Sequence, residues 1–364
     1  MDREHLILRE VVETHIDSGD AVGSKAIAER LRSALSSASI RAVMASLGER
    51  GLLAQPHTSS GRVPTDRGYR EYLDAILGPQ VFSRRATGRV QQRLEELGAR
   101  DAASPIELMR GAAATVAAEL GVAAMVVSPR LESAILQRMD LVWLGTGRVL
   151  AICVTDAGLV HERFLTVTRD VKRQDLEAFT NYLNERLPGR SLAEVRQAIE
   201  RAQREARNAL GPEVPSAATA LADKALELGQ RALAIDEQSE ADLIVEGVSR
   251  VLAQREFAEA PERASELLRS IEERQVWLEL LEGVQSSPDT RVYIGRETPD
   301  PGLASCGLVV TRFTAGRATG IVAVFGPKRL DYRRAIPLVS VVGQRLGELL
   351  MGRHEPEGTL ERSA

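Results

Sequence analysis

Cysteine is scarce in this sequence, and the usual signs of a disulfide framework or a metal site are missing. The 364 residues contain two cysteines, Cys153 and Cys306, which lie far apart and in no paired or metal-ligand spacing. The five histidines likewise stand apart from Cys, Asp and Glu at the spacings that zinc sites use. We therefore expect no metal ion, no cofactor and a reducing compartment.

Aromatic residues and long apolar runs are also rare. Aromatics make up 4% of the chain, too few for the stacking platforms on which single-strand nucleic-acid binders depend. The nearest approach to a membrane span, at residues 121–127, is much shorter than the roughly 20 residues that a membrane helix needs. Residues 1–9 carry Asp2 and Glu4 and contain no apolar signal-peptide region. The expected location is therefore the cytoplasm, away from membranes.

Motifs that would indicate catalysis are absent as well. The sequence contains neither GxxxxGK[ST] nor GxGxxG, the glycine-rich patterns that cradle nucleotide phosphates. Ser305, Cys306 and Gly307 offer a candidate nucleophile, but neither a nearby base nor an elbow motif accompanies them. A cysteine that packs as a small hydrophobic residue is the better interpretation. We predict that the chain is not an enzyme.

Positive charge is concentrated near the N-terminus, although the whole chain carries a net charge of −4. Residues 22–70 hold eight basic and three acidic side chains, a net of +5, which leaves −9 for the rest of the chain. A compact basic module on an acidic body suits phosphate contact by one face. An ordinary solvated cluster of arginines is the alternative.

Helical patterns fill the first part of this basic region. Apolar residues recur at helical spacing within residues 2–17, 24–33 and 36–51. Ser24 is a candidate N-cap of the second pattern and Ser36 or Ser37 of the third, while Gly19 and Gly51 end the first and third. The sequence thus predicts three short helices, the last two joined by a tight turn.

A hairpin pattern follows the third helix. Residues 52–54 and 62–63 are typical of strands, and the polar turn between them is bounded by Pro56 and Pro64. Thr65 is a candidate cap of a fourth helix. Three helices and a hairpin predict a winged helix-turn-helix, whose third helix enters a DNA groove. A three-helix bundle with an ordinary polar face is the alternative for the helices alone.

The predicted outer face of the third helix combines small residues with one arginine. Small side chains permit close approach to a groove, and Arg41 can reach guanine edges or a phosphate. In the wing, the positive charge of Arg62 would be attracted by the negative potential of a DNA minor groove. The residues that we predict to contact DNA are Ser24, Lys25, Ser36, Ser37, Ser39, Arg41, Ala42, Arg50, His57, Thr58, Ser59, Arg62 and Arg70.

The string PHTSSGRVPTDRGYR at residues 56–70 closely resembles a signature of the heat-inducible transcription repressor family called HrcA. Residues 21–25 and the string GPKRLDY at 326–332 are similar to two further motifs of the family, although Ala42 stands where the family commonly has asparagine. The resemblance implies a DNA-binding repressor of heat-shock (chaperone) operons. It also implies a homodimer on an inverted-repeat, double-stranded operator, with activity modulated by chaperonin and temperature.

The rest of the chain predicts an α+β body. Strand patterns at 134–167 and 308–325 flank a long stretch with helical periodicity. Together with the resemblance, this pattern predicts a winged helix-turn-helix at 1–77, a connector at 78–104, a GAF-like α+β domain at 105–187 and 262–352, an inserted helical dimerisation segment at 188–261 and a flexible tail at 353–364. The alternative is that the helices of the inserted segment pack on their own domain and take no part in a dimer.

Two other functions stay open at this point. The GAF-like domain could bind a small molecule that sets the spacing of the wings, which would make the chain a ligand-gated regulator. A winged helix could also serve protein contacts alone, and then DNA affinity would show no dependence on salt.

Overall fold

The computed structural model describes most of the chain, and the statements below concern that part. The described residues are 2–31, 35–57, 61–77, 84–99, 104–129, 134–145, 147–156, 158–167, 173–186, 189–191, 194–195, 197–198, 201, 228–229, 231, 242–273, 277, 290–298 and 300–352. The predicted tail at 353–364 and the predicted wing contacts Thr58 and Ser59 lie outside them.

The N-terminal unit combines helices with a short hairpin. Its helices are α1 (Arg3–Ser18), α2 (Ser24–Leu31), α3 (Ser37–Glu49) and α4 (Asp66–Glu71). A π-helical segment, Tyr72–Leu77, continues α4. The hairpin pairs β1 (Leu53–Ala54) with β2 (Val63–Pro64) in antiparallel register. Helices followed by a hairpin wing confirm the winged helix-turn-helix prediction.

Local signals in the sequence account for the ends of these helices. The Asp2 side chain accepts a hydrogen bond from the His5 amide at 2.8 Å, which caps α1. Gly19 ends the helix in the left-handed conformation with φ 75°, which glycine adopts without steric cost. Ser36 caps α3 by accepting a hydrogen bond from the Ser39 amide at 3.2 Å. Ser36, rather than the residue after it, is therefore the cap.

Backbone hydrogen bonds tie the wing to the helices. Val22, in the turn between α1 and α2, exchanges two hydrogen bonds of 2.9 Å with Arg62. Thr65 donates from its hydroxyl to the Gly51 carbonyl at 2.7 Å and accepts from the Gly68 amide at 3.1 Å. Thr65 thus caps α4 as predicted, and it also holds α4 against the end of α3.

The body mixes further helices and strands. The helices are α5 (Arg84–Gly98), α6 (Pro105–Leu120), α7 (Arg173–Arg186), α8 (Val248–Leu252), α9 (Arg255–Ala258), α10 (Pro261–Glu272) and α11 (Tyr332–Gly352). The strands are β3 (Ala123–Val127), β4 (Leu136–Gly145), β5 (Arg148–Thr155), β6 (Val160–Thr166), β7 (Leu243–Glu246), β8 (Arg291–Ile294), β9 (Cys306–Ala315) and β10 (Ala318–Pro327). Short 3₁₀ helices lie at Gly295–Glu297 and Pro301–Leu303. The α+β class is confirmed.

A five-stranded antiparallel sheet forms the centre of the body, in the order β7-β3-β10-β9-β8. The helix α11 packs along β9, and α6 packs along β3. The predicted connector at 78–104 contains α5, whose Val90 and Leu94 are buried in the same core. The described part of that connector is therefore a packed helix of the body.

A second sheet, in the order β4-β5-β6, is separate from the first. One of its faces packs on α7 in a core of its own, to which Val195 and Leu228 also contribute. Residues 134–167 and 308–325, which the sequence pattern assigned to one domain, thus lie in two different sheets. Alternating apolar residues show that a strand has a buried face but not which sheet it joins.

The chain returns to the main sheet earlier than predicted. Within the stretch 188–261, which has helical periodicity, Leu243–Glu246 forms β7 and pairs antiparallel with β3. The insertion in the main sheet therefore begins at β4 rather than at residue 188, and it ends before β7. We call β4, β5, β6 and α7, with Val195 and Leu228, the inserted unit.

Candidate nucleic-acid interface

The outer face of α3 is open to solvent. The helix buries Ile40, Met44 and Leu47, whose helical spacing places them on one side. Arg41 and Ala42 lie on the other side and are exposed. The face that the sequence predicts for groove contact is therefore accessible.

The serines at the start of α3 are engaged with one another. The Ser36 hydroxyl lies 3.0 Å from the Ser39 hydroxyl, and Ser24 and Ser37 are joined through their hydroxyls at 2.9 Å. Ser24 is buried, and its hydrogen bond to Ser37 joins α2 to α3; its DNA contact stays a prediction. Ser36 remains exposed at a helix N-terminus, where backbone amides favour a phosphate.

Basic side chains flank the exposed face of α3. Lys25 is exposed in the first turn of α2, and His57 is exposed in the hairpin. The Arg62 guanidinium lies over Gly48, where an added Cβ would overlap it. A glycine at this position lets the wing arginine lie across the last turn of α3, where the helix dipole favours a cation.

Two arginines that we predicted to contact DNA form ion pairs instead. Arg50 donates to Glu4 of α1, although half of its side chain stays exposed. Arg70 donates from Nε to Glu297 at 3.0 Å and from Nη2 to the Val292 carbonyl at 2.7 Å. The hydrogen bond with Glu297 raises the pKa of Arg70. Arg70 therefore faces the body, and the DNA contact predicted for it stays a prediction.

Acidic residues of α1 neutralise a further part of the basic region. Arg30 contacts Glu10 at 3.0 Å, Glu13 at 3.4 Å and Asp17 at 3.0 Å. Burial raises the pKa of Glu13, although the neighbouring arginines favour its charged form. The basic surface is therefore narrower than the count over residues 22–70 indicates. Lys25 and Arg41 are exposed members of it.

Comparison with known proteins identifies the family. A model described as the HrcA protein C terminal domain matches residues 107–336. The heat-inducible transcription repressor HrcA of Geobacter sulfurreducens is 32% identical over 96% of this chain and 98% of its own length. The protein of the same name from Erythrobacter litoralis is 34% identical over 96% of this chain and 97% of its own length. The chain belongs to the HrcA family.

Membership of the HrcA family confirms the resemblance that the motifs indicated. We use the name GAF-like domain below for the part of the body around the five-stranded sheet. A crystal structure of a hypothetical protein at 2.2 Å resolution covers 97% of this HrcA chain and 99% of its own, with a TM-score of 0.61 and 21% identity. That likeness shows that the overall fold occurs in a solved structure.

Sequence reasoning missed two glycines of this HrcA interface. Gly48 makes room for the Arg62 guanidinium, and a Cβ at Gly61 would overlap the backbone of Val22. A glycine inside a helix costs about 1 kcal/mol relative to alanine. The presence of Gly48 in a helical pattern is therefore the signal that could have revealed it.

The GAF-like domain of the HrcA chain carries a groove of about 580 Å³ between β9 and α11. Its lining includes Thr311, Phe313, Gln344 and Met351. Within the described ranges, no cluster of three or more His, Cys, Asp or Glu is placed to hold a metal ion. The helices resolved there include none that is both long and apolar enough to cross a membrane.

Proposed function

We propose that this chain is a transcription repressor that binds double-stranded DNA through α3 and the wing. The observation that carries the proposal is the exposed face of α3, where Arg41 stands among small residues. Small side chains let the helix backbone approach base edges, and an arginine can contact a guanine through two hydrogen bonds. Lys25 and Arg62, beside this face, are suited to phosphate contact.

The regulated genes in this proposal are heat-shock (chaperone) operons. The support is that the relatives from Geobacter sulfurreducens and Erythrobacter litoralis are named heat-inducible transcription repressors. Heating releases the repressor from its operator, and a chaperonin returns it to the active form. Operator binding by the purified protein, measured before and after heating with and without chaperonin, tests this part. Identical, undiminished binding in all samples contradicts it.

The proposed repressor acts as a homodimer on an inverted repeat. In the inserted unit, Val142, Leu150 and Phe164 are neighbours across three adjacent strands. Val142 and Phe164 are 42% and 64% exposed, and contiguous apolar surface of this kind is typical of interaction sites. A second copy fits this face because a two-fold interface uses the same patch on both subunits.

A charged residue in this patch tests the dimer. We expect Phe164→Asp to convert the dimer to a monomer in light-scattering measurements, because two carboxylates would be buried against apolar surface. Leu268→Asp, at another exposed leucine outside the inserted unit, is the matched control and leaves the dimer intact. Equal masses for the wild type and Phe164→Asp contradict the assignment of this face.

Alanine substitutions test the DNA-binding face. A duplex is first selected from a random pool by the wild type, and affinities are then measured at moderate salt. We expect both Arg41→Ala and Arg62→Ala to lose operator binding while they remain dimers. Arg41→Ala removes a base contact worth about 1–3 kcal/mol, and Arg62→Ala removes a phosphate contact. Arg110→Ala removes an arginine that pairs with Glu246 in the body and serves as control. Unchanged binding by both variants refutes the proposed face.

A ligand-gated regulator is the second candidate, and the groove between β9 and α11 favours it. Its volume of about 580 Å³ is within the range of small-molecule sites. In a thermal-shift screen of metabolites, a ligand that raises the melting temperature and changes DNA affinity supports this candidate. A screen without such a ligand removes it.

A further inference from the structure

The N-terminal unit contacts the body through α4 and also at α1 and the turn after it, where Glu13 pairs with Arg333 and Asp20 with Arg255. The outer face of α3 stays exposed. Two segments of the body meet α4: the 3₁₀ helix Gly295–Glu297, and residues 326–332, which run from the end of β10 to the start of α11. We call this contact between α4 and the two segments the seam. Residues 326–332 are the GPKRLDY string, and none of them belongs to the proposed DNA face.

Asp66, in the first turn of α4, is held from the body by two groups. Lys328 donates to its Oδ1 at 2.5 Å, and the Arg296 amide donates to its Oδ2 at 3.3 Å. Less than a third of each charged side chain is exposed in the Asp66–Lys328 pair. Such a pair is screened less by solvent than the exposed pairs that contribute little to stability.

Arg70, one turn further along α4, makes the second polar attachment. It contacts both carboxylate oxygens of Glu297, which is the paired geometry that makes arginine–carboxylate contacts directional. The same side chain donates to the Val292 carbonyl, at the edge strand β8. The Glu297 carboxylate also accepts from the Ile294 amide at 2.9 Å, so that both partners of Arg70 are fixed to the body.

Aromatic packing fills the seam between these polar attachments. Tyr69 and Tyr332 are both buried, and their ring centroids lie 6.1 Å apart with a tilt of 60°. Tyr332 is itself fixed, because its hydroxyl donates to the Lys328 carbonyl at 2.8 Å. The seam therefore combines directional polar contacts with a close-packed centre, which disfavours sliding of α4 over the body.

The seam connects directly to the recognition helix. Thr65, the cap of α4, donates from its hydroxyl to the carbonyls of Gly51 and Leu52 at 2.7 and 3.2 Å. These two residues follow Arg50, the C-cap of α3. The attachment of α4 to the body thus fixes the direction in which α3 presents its outer face.

We infer that Asp66 and Arg70 are positioning residues, which select the half-site spacing that the dimer can bind without touching DNA themselves. They hold each α3 at one orientation relative to the body, and the two bodies are joined in the dimer. The inference rests on the proposed function, because spacing has meaning only for a dimeric DNA-binding protein. It also replaces the direct DNA contact that the sequence predicted for Arg70.

The test compares a half-site with inverted repeats of different spacing, using a duplex that the wild type has selected. Moving one half-site by about five base pairs places it on the opposite side of the helix. Because two linked contacts can exceed one by roughly 100-fold or more, the wild type is expected to lose about 100-fold in affinity on this change. The double variant Asp66→Asn with Arg70→Gln should lose less than about tenfold, since its DNA-binding units can reorient.

Controls separate positioning from folding and from direct contact. Half-site affinity and dimer mass should be unchanged in the double variant. Lys328→Gln with Glu297→Gln breaks the same contacts from the body side and should reproduce the relaxed spacing, whereas Lys328→Arg should keep the wild-type preference. Arg110→Gln, which breaks an ion pair away from the seam, should keep it too.

The possible outcomes are distinct. A spacing preference as sharp in both double variants as in the wild type overturns the inference. Weaker half-site binding by Arg70→Gln alone also overturns it, because Arg70 would then contact DNA. A wild type that binds no duplex in a sequence-dependent manner overturns the proposed function itself, and with it the inference.

Discussion

Replacing Gly68 by alanine probes the contact between α4 and the base of the wing. Gly68 lies in α4, and an added Cβ would overlap the carbonyl oxygen of Leu52. That carbonyl already accepts hydrogen bonds from the amide and the hydroxyl of Thr65, at 3.1 and 3.2 Å. Because the oxygen belongs to the backbone, it cannot swing aside as a flexible side chain would. The substitution must move α4 away from the wing.

The expected magnitude follows from this geometry. A shift on the order of 1 Å relieves the overlap, and overpacking of this kind costs about 1–3 kcal/mol. Weakening the hydrogen bonds to Leu52 costs about 1 kcal/mol more, while alanine regains about 1 kcal/mol of helix propensity. We therefore expect Gly68→Ala to lower the free energy of unfolding by about 2 kcal/mol in urea titrations.

A second helical glycine provides the matched control. Gly88 lies in α5, is exposed, and an added Cβ there would have no neighbour within 4 Å among the described residues. Gly88→Ala should therefore raise the free energy of unfolding by about 0.5–1 kcal/mol. The close packing of α4 is refuted if Gly68→Ala is as stable as the wild type or more stable.

Three further predictions concern single side chains. Ser36→Ala removes the cap of α3 and should cost about 1 kcal/mol in urea unfolding; unchanged stability contradicts the cap. Burial lowers the pKa of His15 from its ordinary value of 6.5, so the unfolded chain takes up a proton more readily and stability should fall as the pH drops below about 6.5. His15→Asn should lessen that fall. If the stability of the variant and of the wild type falls in parallel with pH, His15 is not its cause. The Tyr69 hydroxyl is buried without a hydrogen-bond partner in the described part of the chain, whereas the Tyr332 hydroxyl donates to Lys328. In scanning calorimetry, Tyr69→Phe should be neutral or stabilising and Tyr332→Phe should cost about 1 kcal/mol; the reverse order refutes this.

The N-terminal unit could be predicted from the sequence almost element by element. Its helix ends depend on signals that act within a few residues, such as the Asp2 cap, the Gly19 stop and the Thr65 cap. The hairpin depends on a turn between prolines. Local sequence therefore carries enough information to place the helix that meets DNA in this proposal.

The arrangement of the body could not be predicted in the same way. The strand β7 is a short run of three apolar residues followed by Glu246, and it pairs with β3, more than 100 residues earlier. Nothing in a run of this length distinguishes a strand from a buried helical turn. Likewise, the alternation in β4, β5 and β6 shows a buried face, but the partner of that face, α7 and its neighbours, is set by packing far along the chain.

The exposure of a side chain in the candidate site could be predicted where its own helix decides it, but its ion pairs with distant residues could not. Arg41 is exposed because the periodicity of α3 turns it outward. Arg70 pairs with Glu297, which is 227 residues away in sequence, and Arg50 pairs with Glu4 across α1. A count of charges within a window does not include such partners, so it overstates the basic surface.

The dependence of DNA affinity on salt is the measurement that tests the central claim most directly. Affinity for the selected duplex is measured over a series of salt concentrations for the wild type and for Lys25→Gln. We predict a linear fall of log affinity with log salt, with a slope of about −0.9 for each phosphate contact, and a slope shallower by about 1 for each Lys25 removed. An affinity that does not change with salt, or shows no preference for the selected sequence, contradicts the account.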